Sequence, residues 1–462
     1  MQWWDAVTTA FGRLRERADI GFSFEEISGV GLSGQMHSLV AIDSAGEPVC
    51  NAISWSDQRT RAECDTLRSE SGAELLGETG NPVSTGFTLP KLLWIRANQP
   101  EAYARMRWLL LAKDFIRYQL TGRVLTDFSD ASGTLLFNTT ERRWSEQILS
   151  RFDISPDLLP QLVNSADFAG EVLPGASKAT GLHEGTPVYV GSSDICAAVL
   201  GSGPDSRATA VVSLGSAGQV VALRQTPTMD AEGRVNLLCH GVPSSWILMG
   251  AIQNAGIAVQ WALNGSFGGS ERGASRPDLR AIESRLAELE PELSDPIFLP
   301  YLTGERTPHM DDRSAGVLFG VRPQHNRFHV LRAVYEGVAF ALHECSLVLS
   351  ELGSSIENLR VCGGVAGGET LLKILASTVG KPVSPAAHLD ASAYGAALWA
   401  RAGAEGDLAV AHAPTGGRAG DSVMPDPAKQ DFYRKRFHLF QTIYKDLKPS
   451  FALLAEQAAG QD

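Results

Sequence analysis

Three groups of residues in this chain have the types and spacing for chemistry. Asp194 follows Gly191-Ser192-Ser193 and precedes the apolar run Ile195-Cys196-Ala197-Ala198. A carboxylate at such a strand-to-helix turn serves either as a helix N-cap or as a general base on a hydroxyl. Two glycine-rich turns, Ser213-Leu214-Gly215-Ser216-Ala217-Gly218 and Cys362-Gly363-Gly364-Val365-Ala366-Gly367-Gly368, have few side chains to keep a phosphate away from backbone N–H groups. Their plain alternatives are a hairpin turn and a strand-to-helix connection. Met36 and His37, at the end of a strand-like run, form the third group, although a lone histidine there is more often a surface or packing residue.

The elements that must position these groups read as alternating helices and strands. Trp3, Trp4, Val7, Ala10, Phe11 and Leu14 recur at helical spacing. Ile27–Gly31 and Ser38–Asp43 read as strands, the latter followed by a turn at Ser44–Pro48 and a short strand to Trp55. Helical patterns follow at Gln58–Ser69, Pro90–Ala97 and Lys113–Leu120. Pro187–Gly203 reads as strand, tight turn and helix, and Gly201–Ser206 as a linker. Beyond it, Ala208–Leu214 and Gln219–Leu223 form a hairpin, and a long helix from Phe328 to about Leu352, a strand at Leu359–Cys362 and a helix at Glu369–Val379 continue a second half. Two related α/β halves with mixed sheets and a cleft between them are expected.

Composition excludes several functions. The 462 residues carry 40 Lys+Arg against 52 Asp+Glu, a net charge of −12, so no broad basic face is expected for nucleic acid. Six cysteines stand singly, with no Cys-x-x-Cys, which points to the reducing cytoplasm and away from disulfides or zinc. The charge-free run Val235–Ser270 is interrupted by Gly, Pro, Ser, Gln and Asn, so buried strands and a buried helix are expected there and not a membrane span. Gly29-Val30-Gly31-Leu32-Ser33-Gly34 fits a dinucleotide fingerprint, but a strand-like alternation follows it where a helix is required. P-loop, metalloprotease and serine-hydrolase motifs are missing from the sequence.

Longer segments carry a family resemblance. Gly316-Val317-Leu318-Phe319-Gly320-Val321, followed shortly by His329-Val330-Leu331-Arg332-Ala333-Val334-Tyr335-Glu336, resembles the C-terminal signature of the FGGY carbohydrate kinases. Phe87-Thr88-Leu89-Pro90-Lys91-Leu92-Leu93-Trp94 resembles their N-terminal signature. Gly34-Gln35-Met36-His37 and the segment Phe298–His309 are most similar to the branch of that family acting on xylulose. The resemblance implies an α/β, two-domain, actin/hexokinase/Hsp70-like (ribonuclease H-like) fold, with mixed sheets flanked by helices and a central cleft. Residues 1–206 would form a sugar-binding domain and residues 207–462 a nucleotide-binding one.

The implied reaction is transfer of the γ-phosphoryl of ATP, with Mg²⁺, to the 5-hydroxyl of D-xylulose. In that reading Asp194 is the base, and Met36, His37, Trp55, Asp57 and Arg59 lie at the sugar. Gly215 and Ser216 belong to a phosphate loop, Gly363 and Gly364 to an adenosine loop, and no residue is assigned as a metal ligand. A cytoplasmic enzyme without nucleic-acid or membrane partners is implied, and a homodimer is allowed.

Departures from the family pattern matter too. Ile195 replaces an amide expected to contact sugar hydroxyls, Ser216-Ala217 stands where Thr-Ser is usual, and Val365 replaces a third glycine. Family members begin with three further strands and an Asp-x-Gly-Thr loop ahead of the helix that opens this chain. Their loss would leave Ile27–Gly31 as an exposed edge and the apolar face of the first helix without its partner. The alternatives are therefore a non-catalytic remnant, or a kinase for ribulose, glycerol or gluconate.

Overall fold

The computed structural model describes residues 2–17, 21–204, 206–267, 278–364, 368–388, 390–409 and 420–459. They gather into two compact units. The first comprises Met1–Gly203, Arg224–Ile247 and Ala391–Thr415; the second comprises Pro204–Leu223, Leu248–Asp390 and Gly416–Asp462. Segments from beyond residue 206 thus contribute to the first unit, which a single division at that position does not anticipate.

In the first unit the opening helix, Gln2–Arg15, has no fully buried residue. Its Trp4 and Phe11 nonetheless pack against Leu32, Leu120, Val172 and Val188, so the face expected to be bare is partly covered. The strand expected at Ile27–Gly31 does not form. A short 3₁₀ turn, Phe24–Glu26, precedes it, and Val30 alone makes a bridge, parallel to Val188. The physical reason is its two glycines, which bring no side chain to a pleated surface. Regular pairing resumes two residues later, with Ser33 opposite Ser192 and Gly34 opposite Ser193.

A core of Leu39, Ala41, Ile53, Leu67, Leu75, Leu89, Leu92, Leu109 and Leu135 holds the helices Arg61–Thr79 and Thr88–Asn98. The first of these outruns its expected end at Ser69, because Leu75 continues the buried stripe until Gly80 stops the helix in the left-handed conformation. The helices Asp194–Gly201 and Ala391–Glu405 pack backbone against backbone. A Cβ on Gly201 would run into the Ala391 carbonyl, and one on Gly395 into the Ala197 carbonyl.

The second unit is built on neighbouring strands. Thr209–Leu214 and Gly218–Arg224 form the expected antiparallel hairpin, with Leu214 opposite Gly218. Thr209–Leu214 also pairs in parallel with Asn358–Cys362, placing Ser213 opposite Cys362. Val383–Pro385 extends the sheet beyond Asn358–Cys362, and Trp246–Ile252 lies on the other side of Gly218–Arg224. Trp246–Ile252 is buried along its whole length, as its unbroken apolar sequence requires. The charge-free run resolves into Asn236–Cys239, Trp246–Ile252 and the helix Gly256–Phe267. That helix is not wholly buried: Ile257 and Trp261 are exposed. No described helix is long and apolar enough to cross a membrane.

Candidate active site

Asp194 is the first residue of its helix, and Ser193 occupies the cap position without a side-chain cap bond. The capping alternative therefore fails, since the Asp194 carboxylate accepts the adjacent Ile195 N–H, at 2.8 Å, and caps no N–H further along the helix among the described residues. Burial pushes this carboxyl up to about 6. A base with that value is ionised at neutral pH yet basic enough to share a hydroxyl proton. The turn carrying it is fixed from two directions. Ser193 N–H donates to Ser129 Oγ at 2.9 Å, and Ser392 Oγ donates to the Asp194 carbonyl at 2.6 Å.

Met36 and His37 lie in a bend just past the strand Ser33–Gly34. His37 has φ of 68°, a left-handed conformation that costs a histidine energy unless its surroundings impose it. They do. His37 Nδ1 lies 2.6 Å from the Gly133 carbonyl, the ring packs on Phe87, and the His37 carbonyl accepts from Thr88 Oγ1 at 3.1 Å and Lys91 Nζ at 3.0 Å. A Cβ on Gly133 would stand 2.8 Å from both His37 Nδ1 and Met36 Cε, so that turn has room for glycine only. Lys91 is fully buried with its ammonium on the His37 and Gly86 carbonyls, and burial brings it down to about 7.

Trp55 joins this group through its N–H, which donates to Ser38 Oγ at 3.1 Å. Asp57 and Arg59 form a two-pronged pair (2.7–3.0 Å) that stacks over Trp94, and the Arg59 guanidinium holds the Asp57 carboxyl below its usual range. Arg59 is thus committed to Asp57 and Trp94, and its part at the sugar remains a proposal.

Beneath these residues lies a buried ionic floor. Lys113 Nζ is 2.7 Å from Asp114, 3.1 Å from Asp127 and 3.3 Å from Asp130, while Arg117 pairs with Asp114 at 2.9 Å. Three carboxyls face two cations, and neither Asp130 oxygen receives a hydrogen bond among the described residues. Burial raises the Asp130 carboxyl well above the usual carboxyl range, against the pull of Lys113 and with the Asp127 and Asp114 charges adding to it. Ser129 and the Asp130–Gly133 turn link this floor to both Asp194 and His37. Sequence reading did not find Ser129, Gly133, Lys91 or Ser392. The density of Asp, Ser and Gly between 127 and 133 is the one sequence signal that could have marked this turn.

In the second unit, Gly215–Gly218 and Gly363–Gly364 follow the adjacent parallel strands Thr209–Leu214 and Asn358–Cys362, so both turns emerge at the same sheet end. Ligands in α/β sheets collect at the carboxyl ends of parallel strands. Gly363 has φ of 97°, and a Cβ there would strike the Leu214 carbonyl; Gly364 faces open space, and Gly215 meets nothing nearer than 3.9 Å. The turns are therefore a cradle whose space side chains would fill, which fits a phosphate chain. Val365 lies outside the described residues. No group of three or more His, Cys, Asp or Glu is placed to hold a metal among the described residues.

Comparison with known proteins adds to this geometry. Residues 1–201 match the model of the FGGY family of carbohydrate kinases, N-terminal domain, and residues 210–404 that of the C-terminal domain. A xylulose kinase of Bacillus subtilis is 34% identical over 430 residues, covering 92% of this chain and 84% of that protein. A gluconokinase of the same organism is 27% identical over 81% of this chain and 74% of its own. The crystal structure of a kinase from Brucella ovis, described as a xylulose kinase in a variant spelling, superposes with a TM-score of 0.84 at 30% identity, covering 96% of this chain and 88% of that one.

Proposed function

Because this chain belongs to the FGGY family of carbohydrate kinases, we propose that it phosphorylates D-xylulose at its 5-hydroxyl, using ATP and Mg²⁺. The observation that carries the reading is the buried Asp194 carboxylate, held on the same framework as the strained Met36–His37 bend. Asp194 accepts the hydroxyl proton as the oxygen attacks. Met36 and His37 orient the sugar, with Trp55, Asp57 and Arg59 at its margin. The backbone N–H groups of Gly215 and Ser216 receive phosphate oxygens, and Gly363 and Gly364 accommodate the adenosine. ATP supplies the transferable phosphoryl group, and phosphoryl transfer needs little covalent help beyond such positioning.

Similarity to both xylulose kinases and a gluconokinase establishes a sugar kinase more coarsely than it selects the sugar. Ile195 is buried beside Asp194 and brings no hydrogen bond from its side chain, so recognition falls on the remaining polar groups. ADP release with MgATP tests the reading, comparing D-xylulose with D-ribulose, D-gluconate, glycerol and no sugar. Release that depends on D-xylulose and exceeds the others supports it. A preference for gluconate would reassign the substrate, and no sugar-dependent release would favour a non-catalytic relative.

A further inference from the structure

Arg306 in the second unit feels the charge of Glu305 against a larger cost of burial. Its guanidinium makes no hydrogen bond or ion pair among the described residues, and the carboxylates of its loop and of the helix packed on that loop are engaged by other groups. Asp311 is taken by Tyr444 OH at 3.0 Å and by the Arg313 N–H at 3.1 Å. Glu344 is taken by His309, Tyr301 and Gln441. Glu305 Oε1 accepts the N–H groups of Gln253 and Arg306, at 2.8 and 2.7 Å. Burial pushes Glu305 up to about 8, so it is largely neutral at pH 7, and burial holds Arg306 below the usual arginine range. Arg306 nevertheless keeps part of its surface open to solvent.

Its loop is fastened to the glycine hairpin. Thr303 Oγ1 donates to Asn254 Oδ1, Asn254 Nδ2 donates to the Gly304 carbonyl, and Thr307 N–H donates to Ala251. On the other side of the same turn, the N–H groups of Ala255 and Ile257 bond to the Ser216 carbonyl, and that of Gly256 to the Gly215 carbonyl. Gln253, which touches Glu305, and Ala255, which touches Ser216, are two residues apart, at most ~7 Å of chain. A desolvated, partly open guanidinium without a hydrogen bond among the described residues, on a loop tied to the same segment that holds the glycine hairpin, has the chemistry of an anion-binding group.

We propose that Arg306 binds a phosphoryl oxygen beside the Gly215–Ser216 turn. The proposal rests on assigning that turn to phosphates, so the test separates the two. The intact chain, Arg306→Gln, Arg306→Lys and Gly215→Val are titrated calorimetrically with ATP, ADP, inorganic phosphate and D-xylulose 5-phosphate. Arg306→Gln is expected to weaken at least one phosphorylated ligand on the order of 10- to 100-fold, with Arg306→Lys intermediate. Loss for ATP alone places Arg306 at the transferred phosphoryl, loss for ATP and ADP at the phosphate before it, and loss for the sugar phosphate alone at the product. Should Arg306→Gln bind all four as the parent does, or the parent bind none, the proposal is overturned. If Gly215→Val alone weakens ATP, the turn's assignment stands without Arg306; if only Arg306→Gln does, Arg306 stands and the turn's assignment fails.

Discussion

Asp194 combines two opposed demands in one side chain. Its carboxyl is raised by burial, so the folded protein binds that proton more tightly than the unfolded chain does. Stability is therefore lost as pH rises from the unfolded value near 4 through about 6, while the carboxylate proposed as the base ionises over the same interval. Turnover per enzyme at low sugar is expected to climb with pH and level off above about 6, read from a pH profile of kcat/KM. Asp194→Asn should lower turnover at least ~100-fold and leave ATP affinity unchanged. The same variant should melt at a higher temperature than the parent at pH 8, with the two converging below about pH 4. A variant melting below the parent at pH 8 would show that the carboxylate is not the strained partner.

Lys91 poses a different residue-scale problem, since its ammonium holds two carbonyls and pairs with no carboxylate among the described residues. Lys91→Met keeps the length and removes the donors, leaving the His37 carbonyl to Thr88 Oγ1 alone and taking from the Gly86 carbonyl its Lys91 bond. A loss of about 1–3 kcal/mol in denaturant unfolding is expected, with a raised KM for sugar and an unchanged KM for ATP. Equal effects on both KM values would mean that Lys91 supports the fold generally and not the His37 bend.

At the scale of elements, the proposed base Asp194 depends on a helix that lies far away in sequence. Helix Ala391–Glu405 presses on Asp194–Gly201 without intervening side chains, and its Ser392 holds the Asp194 carbonyl. Its Trp399 Nε1 donates to Ser192 Oγ at 2.9 Å, steadying the residues before the base. Gly395→Ala adds one methyl where the Ala197 carbonyl sits, and the helices must separate. Destabilisation of roughly 1–3 kcal/mol and a fall in kcat larger than any change in ATP binding are expected. Wild-type kcat in that variant would show that the base tolerates displacement of its helix.

At the scale of the whole molecule, the thiols report on compactness. Five of the six cysteines are buried and Cys50 is half-buried, and all six are free. Burial pushes Cys64 up to about 11 and Cys239 up to about 12, which suppresses the reactive thiolate. Titration with an aromatic disulfide reagent should therefore label about one thiol quickly in the native protein and all six after denaturation, and reductant should leave the melting temperature unchanged. Fast labelling of several thiols without denaturant would reveal opening of one of the two units.

Much of this protein was determined by local sequence, because hairpins, turns and amphipathic helices arise from neighbouring residues. The Gly215–Gly218 hairpin, the helix opening at Asp194, the long helix Arg327–Glu351 and the glycine turn after Cys362 all follow from spacing and residue type alone. The tertiary structure alone decided what surrounds them. Ile27–Gly31 was denied its strand by glycines beneath another helix, Gly133 was singled out only by the His37 and Met36 side chains above it, and Arg306 became conspicuous only once Asp311 and Glu344 were seen to hold other partners. Such facts depend on contacts between residues 50 to 200 positions apart, as in Lys91 to His37 or Ser392 to Asp194. No local propensity encodes them, because the free energy of a buried charge or a filled space depends on its neighbours in the folded chain.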